Sequence, residues 1–271
     1  MRVLQAQCRR KVGLIDHKTV ATGADAIRAR IAALREAGVG LAVVDAVSND
    51  DLLRLGPALK GLALVTAGSG VAIALPANFG IQASSQAAAL PPARGLKAVV
   101  SGSCSLATNR QVKSFIDSGR PALALDPLRL AEQQAAGADP AGEALAWARP
   151  LLAGGPVMVY SSADPASVKA VQAQLGVQAA GELVERTLAA VARGLVQAGV
   201  RQLVVAGGET SGACVQALGI TQMQIGPQID PGVPWCHAAS DAAPEGGLHL
   251  TLKSGNFGTD DFFLKAFAGL A

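Results

Sequence analysis

Short apolar runs alternate with stretches of helical periodicity along almost the whole chain. The run at residues 203–205 is continuously apolar, as in a strand covered on both faces, whereas residues 24–37 place apolar side chains at helical spacing. Such alternation predicts an α/β fold, a layered and mainly parallel sheet with helices on its faces. Further strands are predicted at 12–15, 41–44, 62–65, 96–100, 122–125, 157–160, 223–225 and 248–252. Further helices are predicted at 50–59, 109–117, 140–152, 166–175, 181–198 and 260–270.

One stretch breaks the alternation. Residues 81–95 lose all periodicity and collect Ser, Gln, Pro and Ala, the composition of a linker. We therefore predict two lobes, residues 1–92 and residues 93–271.

Composition excludes several classes of protein. Half of the residues are hydrophobic, but the uncharged stretch at 61–93 is interrupted by prolines and polar residues, so a transmembrane segment is not expected. The net charge of +3 is dispersed and aromatic residues make up 3%, which does not suit a nucleic-acid surface. The four cysteines lack zinc or disulfide spacing, and the first residues lack the pattern of an export signal. We expect a cytoplasmic protein.

Three small-residue loops follow predicted strands, where α/β sheets bind their ligands. The first, at 101–105, precedes a helix whose N-terminus can attract an anion, and Ser103, Ser105 and Thr108 can add hydroxyl donors. When this loop is considered alone, an ordinary capped strand-to-helix turn is the better explanation.

The second loop spans residues 207–212. Gly207 and Gly208 permit a close approach of the backbone to phosphate, and Thr210 adds a hydroxyl. Glu209 can hold Mg²⁺, since hard cations prefer oxygen ligands, or it can cap the helix that follows.

The third loop spans residues 253–258. Lys253 can neutralise phosphate charge, and Gly255 and Gly258 permit close approach, although a surface lysine beside a glycine turn is the simpler alternative. The turn-rich segment 226–235 can wall an adenine pocket or merely cross between sheet edges. Three such loops in one lobe favour a ligand that carries phosphate.

Other reactive residues are less informative. His17, His237 and His249 lack neighbouring carboxylates in the sequence, and Cys104 lacks a histidine partner, so a thiol hydrolase is a remote alternative. Capping explains a set of aspartates that follow strands or begin helices: Asp45, Asp50, Asp51, Asp126 and Asp164.

Taken together and in order, these segments resemble the four-carbon acid sugar kinase family. The resemblance is carried by residues 101–112, 206–212, 226–227, 231–235 and 252–258, and residues 2–92 resemble the later part of the family's N-terminal domain. Residues 108–111 and Pro234-Trp235 favour the branch that acts on 3-dehydrotetronate over the threonate and erythronate kinases.

The resemblance implies an ATP-dependent, Mg²⁺-assisted kinase that phosphorylates the terminal hydroxyl of a four-carbon sugar acid. ATP would bind the lobe from about residue 93, with Ser105, residues 207–210 and Gly255 at nucleotide-contact positions. Such a kinase takes a small-molecule sugar acid as its partner, and a homodimer is possible.

Two departures from the family pattern carry expectations. Ala67 stands where the family usually has glycine. The family's opening motif, Asp-Asp-Phe-Thr-Gly-Ala, is absent, so we expect an incomplete N-terminal lobe and assign no catalytic residue in this chain. The alternative is a non-catalytic module that binds nucleotide or forms oligomers.

Overall fold

A computed structural model describes residues 1–84, 86–163 and 165–270. They form two compact units, Met1–Ser84 and Ser85–Ala271. Among the helices of these described ranges, none has the length and apolar character that crossing a membrane requires.

The unit boundary lies before the predicted one, because residues ahead of the first strand of the second unit already pack on that unit. Gln224 Nε2 donates a hydrogen bond of 2.7 Å to the carbonyl of Ala89. His249 Nε2 lies 2.9 Å from the carbonyl oxygen of Pro91. The segment with the composition of a linker is therefore anchored to the second unit at Ala89 and Pro91.

The first unit consists of short helices around a small parallel sheet. Its strands are β1 (Val12–Ile15) and β2 (Leu41–Val44), paired in parallel. Its helices are α1 (Arg2–Gln5), α2 (His17–Thr22), α3 (Ala24–Glu36) and α4 (Asn49–Leu59), followed by 3₁₀ turns at Ser69–Ile73 and Pro76–Phe79. Its core consists of Ile15, Val20, Ile27, Leu34, Leu55 and Ala58.

The strand predicted at 62–65 does not form. Residues 63–68 are irregular, and the side chain of Leu64 is 83% exposed. The sheet of this unit is two strands wide in the described part of the chain, and Leu41 and Val44 of β2 are exposed. An apolar run of four residues has strand propensity, but it becomes a strand only where a neighbouring strand is present to pair with it.

The second unit contains a seven-stranded sheet. Its strands are β3 (Leu96–Ser101), β4 (Ala122–Ala124), β5 (Val157–Tyr160), β6 (Val200–Ala206), β7 (Gln224–Asp230), β8 (Val233–Ser240) and β9 (Ala243–Lys253). The spatial order is β4-β5-β3-β6-β9-β8-β7. The pairs from β4 to β9 are parallel, and β9-β8 and β8-β7 are antiparallel. The predicted α/β class with a mainly parallel sheet is confirmed.

Helices cover this sheet. They are α5 (Leu106–Asp117), α6 (Pro127–Ala135), α7 (Pro140–Ala148), α8 (Pro165–Leu175), α9 (Val177–Gln197), α10 (Gly208–Ala217) and α11 (Phe262–Lys265), with 3₁₀ turns at Arg149–Gly154 and Ala266–Ala268. The predicted helix at 260–270 is thus shorter and ends in a 3₁₀ turn, and α6 was not predicted.

Two hydrophobic clusters pack in the second unit, and successive residues of β3 contribute to different clusters. Ala98 and Val100 belong to the cluster that contains much of α9, whereas Val99 belongs to the cluster around Phe115 and Trp235. This alternation follows from the period of two along a strand. Both clusters are fully buried at β3, so the central strands form a rigid base for the loops at their carboxyl ends.

Candidate functional site

The three loops predicted from the sequence lie side by side at the carboxyl ends of β3, β6 and β9. Two backbone hydrogen bonds extend the sheet pattern past its last residues. Gly102 N donates to Ala206 O at 2.9 Å, and Gly207 N donates to Lys253 O at 2.9 Å. The loops are therefore held in one array, as expected where parallel strands end at the same sheet edge.

Helix α5 begins with a side chain at its N-cap. Ser105 Oγ accepts a hydrogen bond of 3.1 Å from Thr108 N and lies 2.5 Å from the carbonyl oxygen of Gly255. Ser103 Oγ accepts a hydrogen bond of 3.3 Å from Ser105 N. Much of the hydrogen-bonding capacity at this helix start is therefore used within the protein.

Helix α10 begins differently. Its N-cap is Gly207, and no side chain caps its first turn, which contains Glu209 and Thr210. Uncapped amides and the positive end of the helix dipole form an anion-binding feature. Because α5 is capped and α10 is not, the start of α10 is the more accessible place for a phosphate group.

The glycines of these loops serve different purposes. A Cβ atom on Gly207 would lie 2.8 Å from Thr210 Oγ1 and 3.2 Å from Ser103 N, and one on Gly255 would lie 2.7 Å from Ser103 Oγ. These two glycines allow neighbouring loops to pack together. A Cβ on Gly208, by contrast, would meet no atom within 4 Å, so only Gly208 of the three has an open side.

Gly258 lies deeper. Its φ is +85°, and a Cβ there would lie 2.8 Å from Phe262 Cδ2. Buried Gln111 of α5 donates from Nε2 to the carbonyls of Phe257, Gly258 and Thr259 at 3.0–3.1 Å. This end of the third loop is thus packed against the protein, and Gly258 is explained by its backbone conformation.

Lys253 is not a surface lysine, which was the alternative to its predicted role of neutralising phosphate charge. Its side chain is fully buried, and Nζ donates to Thr108 Oγ1 at 2.9 Å and to the carbonyls of Ser254 and Gly255 at 3.2 and 3.1 Å. These contacts use its three donor hydrogens. Burial lowers the pKa of Lys253 to about 8. Direct contact with phosphate would require these bonds to be broken.

A cleft of about 490 Å³ opens beside the first and second loops. This volume is within the range of small-molecule sites. Its apolar wall is formed by a residue that follows β4 and by residues of β5, α8 and α9: Leu125, Tyr160, Val168, Val171, Val177 and Val184. Its polar edge contains Ser161, Ser162, Glu209 and Thr210. The segment 226–235, considered above as an adenine wall, forms the β7–β8 hairpin and does not line this cleft.

Three carboxylates line the same cleft, those of Asp126, Glu185 and Glu209. Burial raises the pKa of Glu185, and the negative charges of Glu209 and then Glu182 raise it further. Within the described residues, no group of three or more His, Cys, Asp or Glu is arranged to hold a metal on its own. A nucleotide-bound Mg²⁺ needs only one or two carboxylates, because phosphate and water provide its other ligands. The exposed Glu209 therefore fits this limited role.

The other reactive residues do not form a catalytic group. Cys104 lines the cleft, with Sγ 3.8 Å from the carbonyl oxygen of Ser161 and no histidine in contact among the described residues. The rings of His237 on β8 and His249 on β9 are tilted by 59° to each other with centroids 4.9 Å apart, and His17 belongs to the first unit. Asp164 lies outside the described residues.

One cleft aspartate was given a capping role from the sequence, and Asp126 does cap α6 through a hydrogen bond of 2.9 Å from Leu128 N. Other cleft residues were not singled out: Tyr160 and Ser161 at the end of β5, and Glu185 in the middle of α9. Ser161 comes directly after a predicted strand, so the rule applied to the three loops would have found it. Nothing in the sequence around Glu185 marks it.

Comparison with known proteins agrees with this geometry. A family model described as a nucleotide-binding C-terminal domain matches residues 98–263, and one described as a sugar-binding N-terminal domain matches residues 1–75. The chain is 53% identical to a 3-oxo-tetronate kinase of Burkholderia multivorans, over 100% of this chain and 62% of the relative. It is 51% identical to a 3-oxo-tetronate kinase of Cupriavidus necator, over 100% of this chain and 61% of the relative.

Solved structures show the same fold. A Salmonella typhimurium protein superposes with a TM-score of 0.74 at 34% identity, over 100% of this chain and 62% of that one. A Haemophilus influenzae protein superposes with a TM-score of 0.66 at 38% identity, over 100% of this chain and 63% of that one. The chain thus spans about 62% of the length of the curated relative from Burkholderia multivorans.

Proposed function

This chain belongs to the four-carbon acid sugar kinase family, and we propose on that premise that its second unit binds ATP for the phosphorylation of a sugar acid. The acceptor is the terminal C4 hydroxyl of a four-carbon acid such as 3-dehydrotetronate, by analogy with relatives named 3-oxo-tetronate kinase. The observation that carries the proposal is the uncapped start of α10 at the edge of the apolar cleft.

The cleft offers separate surroundings for the two ends of a nucleotide. Its aliphatic and Tyr160 side chains suit the base, and its polar edge leads to the amides of α10. Gly207 to Thr210 hold phosphate in this proposal, with Ser103 and Ser105 from the first loop and Gly255 from the third. Phosphoryl transfer mainly requires alignment and neutralisation of charge, which backbone amides and a helix N-terminus provide.

Glu209 is the proposed protein ligand for Mg²⁺, directly or through water. When bound with the nucleotide, the ion would neutralise phosphate charge. Its fit rests on the exposed carboxylate at the first turn of α10 and on Glu185, which lines the same cleft. The proposed homodimer and the cytoplasmic location remain predictions.

Calorimetry with ADP and Mg²⁺ tests nucleotide binding. A ligand that binds only the folded state stabilises it by about 2.7 kcal/mol at one hundred times its Kd. We therefore expect heat on titration and a higher melting temperature. Absence of both in a folded sample would refute the assignment of the cleft to nucleotide.

An ADP-release assay with 3-dehydrotetronate then separates a kinase from a module that binds nucleotide without turnover. It is run on this chain and on a chain of the full length of the relatives. Substrate-dependent ADP release by the longer chain supports the kinase, whereas binding without release in both chains supports the non-catalytic module. Cys104→Ala should retain nucleotide binding and turnover, because the Cys104 thiol has no base partner among the described residues. Loss of both would favour the thiol enzyme.

A further inference from the structure

We propose that Lys253 is a positioning residue, whose buried ammonium fixes the third loop so that the amides of Gly255 and Asn256 face the nucleotide phosphate. The inference rests on the nucleotide-binding function proposed above. It assigns Lys253 an indirect role, because its Nζ contacts Thr108, Ser254 and Gly255 within the protein.

The carbonyl of Gly255 is the centre of the arrangement. It accepts from Lys253 Nζ at 3.1 Å, from Thr108 Oγ1 at 2.9 Å and from Ser105 Oγ at 2.5 Å. Three donors on one carbonyl oxygen fix the orientation of that peptide group. The carbonyl of Ser254 is held in the same way by Lys253 Nζ at 3.2 Å.

Peptide geometry then determines where the amides point. In a planar trans peptide the C=O and N–H bonds point in opposite directions, and no cis peptide bond occurs among the described residues. The carbonyls of Ser254 and Gly255 point towards Lys253, so the N–H groups of Gly255 and Asn256 point away from it. Neither amide donates to an acceptor in the described part of the protein. They remain available to solvent or to an anion.

Charge points to the same ligand. Burying a cation is costly unless a partner compensates it. Two acidic side chains at the end of the third loop are paired with other cations: Asp260 binds Arg110 at 2.8 Å, and Asp230, which accepts from Thr259 N, binds Lys265 at 2.6 Å. In the described residues no carboxylate contacts Lys253. An anion held by the loop amides would supply the missing negative charge.

This arrangement predicts a dependence of binding on pH. Burial is the cause that lowers the pKa of Lys253 to about 8, and a bound anion would raise it again. Nucleotide binding should therefore take up protons at pH 8–9, and affinity should fall as pH rises through that range, by at most tenfold per pH unit. A lysine whose charge does not interact with the bound anion would produce no such linkage.

The experiment is calorimetry with Mg·ADP at pH 7.5, 8.5 and 9.5, in two buffers of different ionisation enthalpy. Lys253→Met should weaken binding at pH 7.5 by about tenfold or more, remove the proton uptake and leave the affinity independent of pH. Lys113→Met, on the exposed surface of α5, is the matched control and should behave as wild type. An unchanged affinity in Lys253→Met, or a pH slope that survives it, would overturn the proposal.

A second variant tests the same role if Lys253→Met does not fold. Thr108→Val keeps the ammonium but removes one acceptor that stabilises its charged form, so the fall in affinity should begin at lower pH. An unshifted onset in a folded Thr108→Val protein would contradict the assignment. If the wild-type protein binds Mg·ADP without proton uptake, the role of Lys253 is refuted but nucleotide binding is not. If the wild-type protein does not bind Mg·ADP, the proposed function itself is refuted.

Discussion

Gly208 allows the proposed nucleotide site to be tested without disturbing the fold. A Cβ at this position would meet no atom within 4 Å, and its φ is not positive, so a larger side chain fits the unliganded fold. Gly208→Ala should even stabilise the protein, because alanine is favoured over glycine in a helix by about 0.5–1 kcal/mol. Any loss of nucleotide affinity in Gly208→Val would therefore result from a clash between the valine side chain and the ligand, not from a change in the fold.

The size of that loss follows from the bonds that the side chain would block. If the valine displaces phosphate from one amide at the start of α10, a hydrogen bond to a charged group is lost, at a cost of about 1.5–3 kcal/mol. We therefore expect Kd for Mg·ADP to rise about 10- to 150-fold. Calorimetry measures the affinity, and thermal unfolding without ligand checks that the fold is intact.

Gly212 provides the matched control, since it lies one turn further along α10 and a Cβ there also meets no atom within 4 Å. Gly212→Val should bind Mg·ADP as wild type does. Gly207→Ala is the opposite case, because its φ of +121° and its contacts with Thr210 and Ser103 should destabilise the unliganded protein by about 1–3 kcal/mol. Wild-type affinity in a folded Gly208→Val protein would refute phosphate binding at this turn.

Three further predictions concern neighbouring side chains. Ser105→Ala should lower the free energy of unfolding by about 1 kcal/mol, because the N-cap of α5 is lost. Ser103→Ala should mainly weaken Mg·ADP binding. Thermal unfolding measures the first effect and calorimetry the second, and the reverse pattern would contradict both predictions. Glu209→Gln should lower the raised pKa of Glu185 in an NMR titration, and an unchanged value would show that they do not interact. Burial raises the pKa of Asp230, but hydrogen bonds from Lys265 and Thr259 and the charge of Lys265 hold it below its ordinary value. The Asp230 carboxylate therefore stabilises the fold at pH values above its ordinary pKa, and this contribution is lost as pH falls through the lowered pKa. Asp230→Asn should flatten acid unfolding curves, and an unaltered curve would count against a stabilising Asp230–Lys265 pair.

The sequence predicted the parts of the fold that depend on local pattern. The buried strands β3, β5 and β6 and the long helix α9 were found because their apolar runs and helical spacing are unambiguous. The hairpin of β7 and β8 was interpreted instead as a turn-rich segment, since it contains two prolines and two glycines at residues 226–232. β7 is an edge strand and tolerates Pro227, while Gly232, with a φ of +79°, forms the turn.

The sequence predicted which loops would become neighbours better than it predicted the contacts of their residues. Close approach to a ligand was the reason given for Gly207 and Gly255. A side chain on Gly255 would instead meet Ser103 and Ser105 of the first loop, and one on Gly207 would meet Ser103 and Thr210 of its own loop. Lys253 was expected to neutralise phosphate charge, with a surface lysine as the alternative, yet its partners are two carbonyls of its own loop and Thr108 of α5. Such contacts depend on how the loops pack on one another, and tertiary structure alone determines that.

The two helix starts of the site divide its work. At α5 the side chain of Ser105 caps the first turn and reaches the carbonyl of Gly255, so the first loop supports the third. At α10 the N-cap is Gly207, whose own amide is held by Lys253 O, and the following amides are left without a side-chain cap. The capped start of α5 therefore supports the loops around the uncapped start of α10. This is the arrangement that preorganised binding of phosphate requires, because the donors are fixed before the anion arrives.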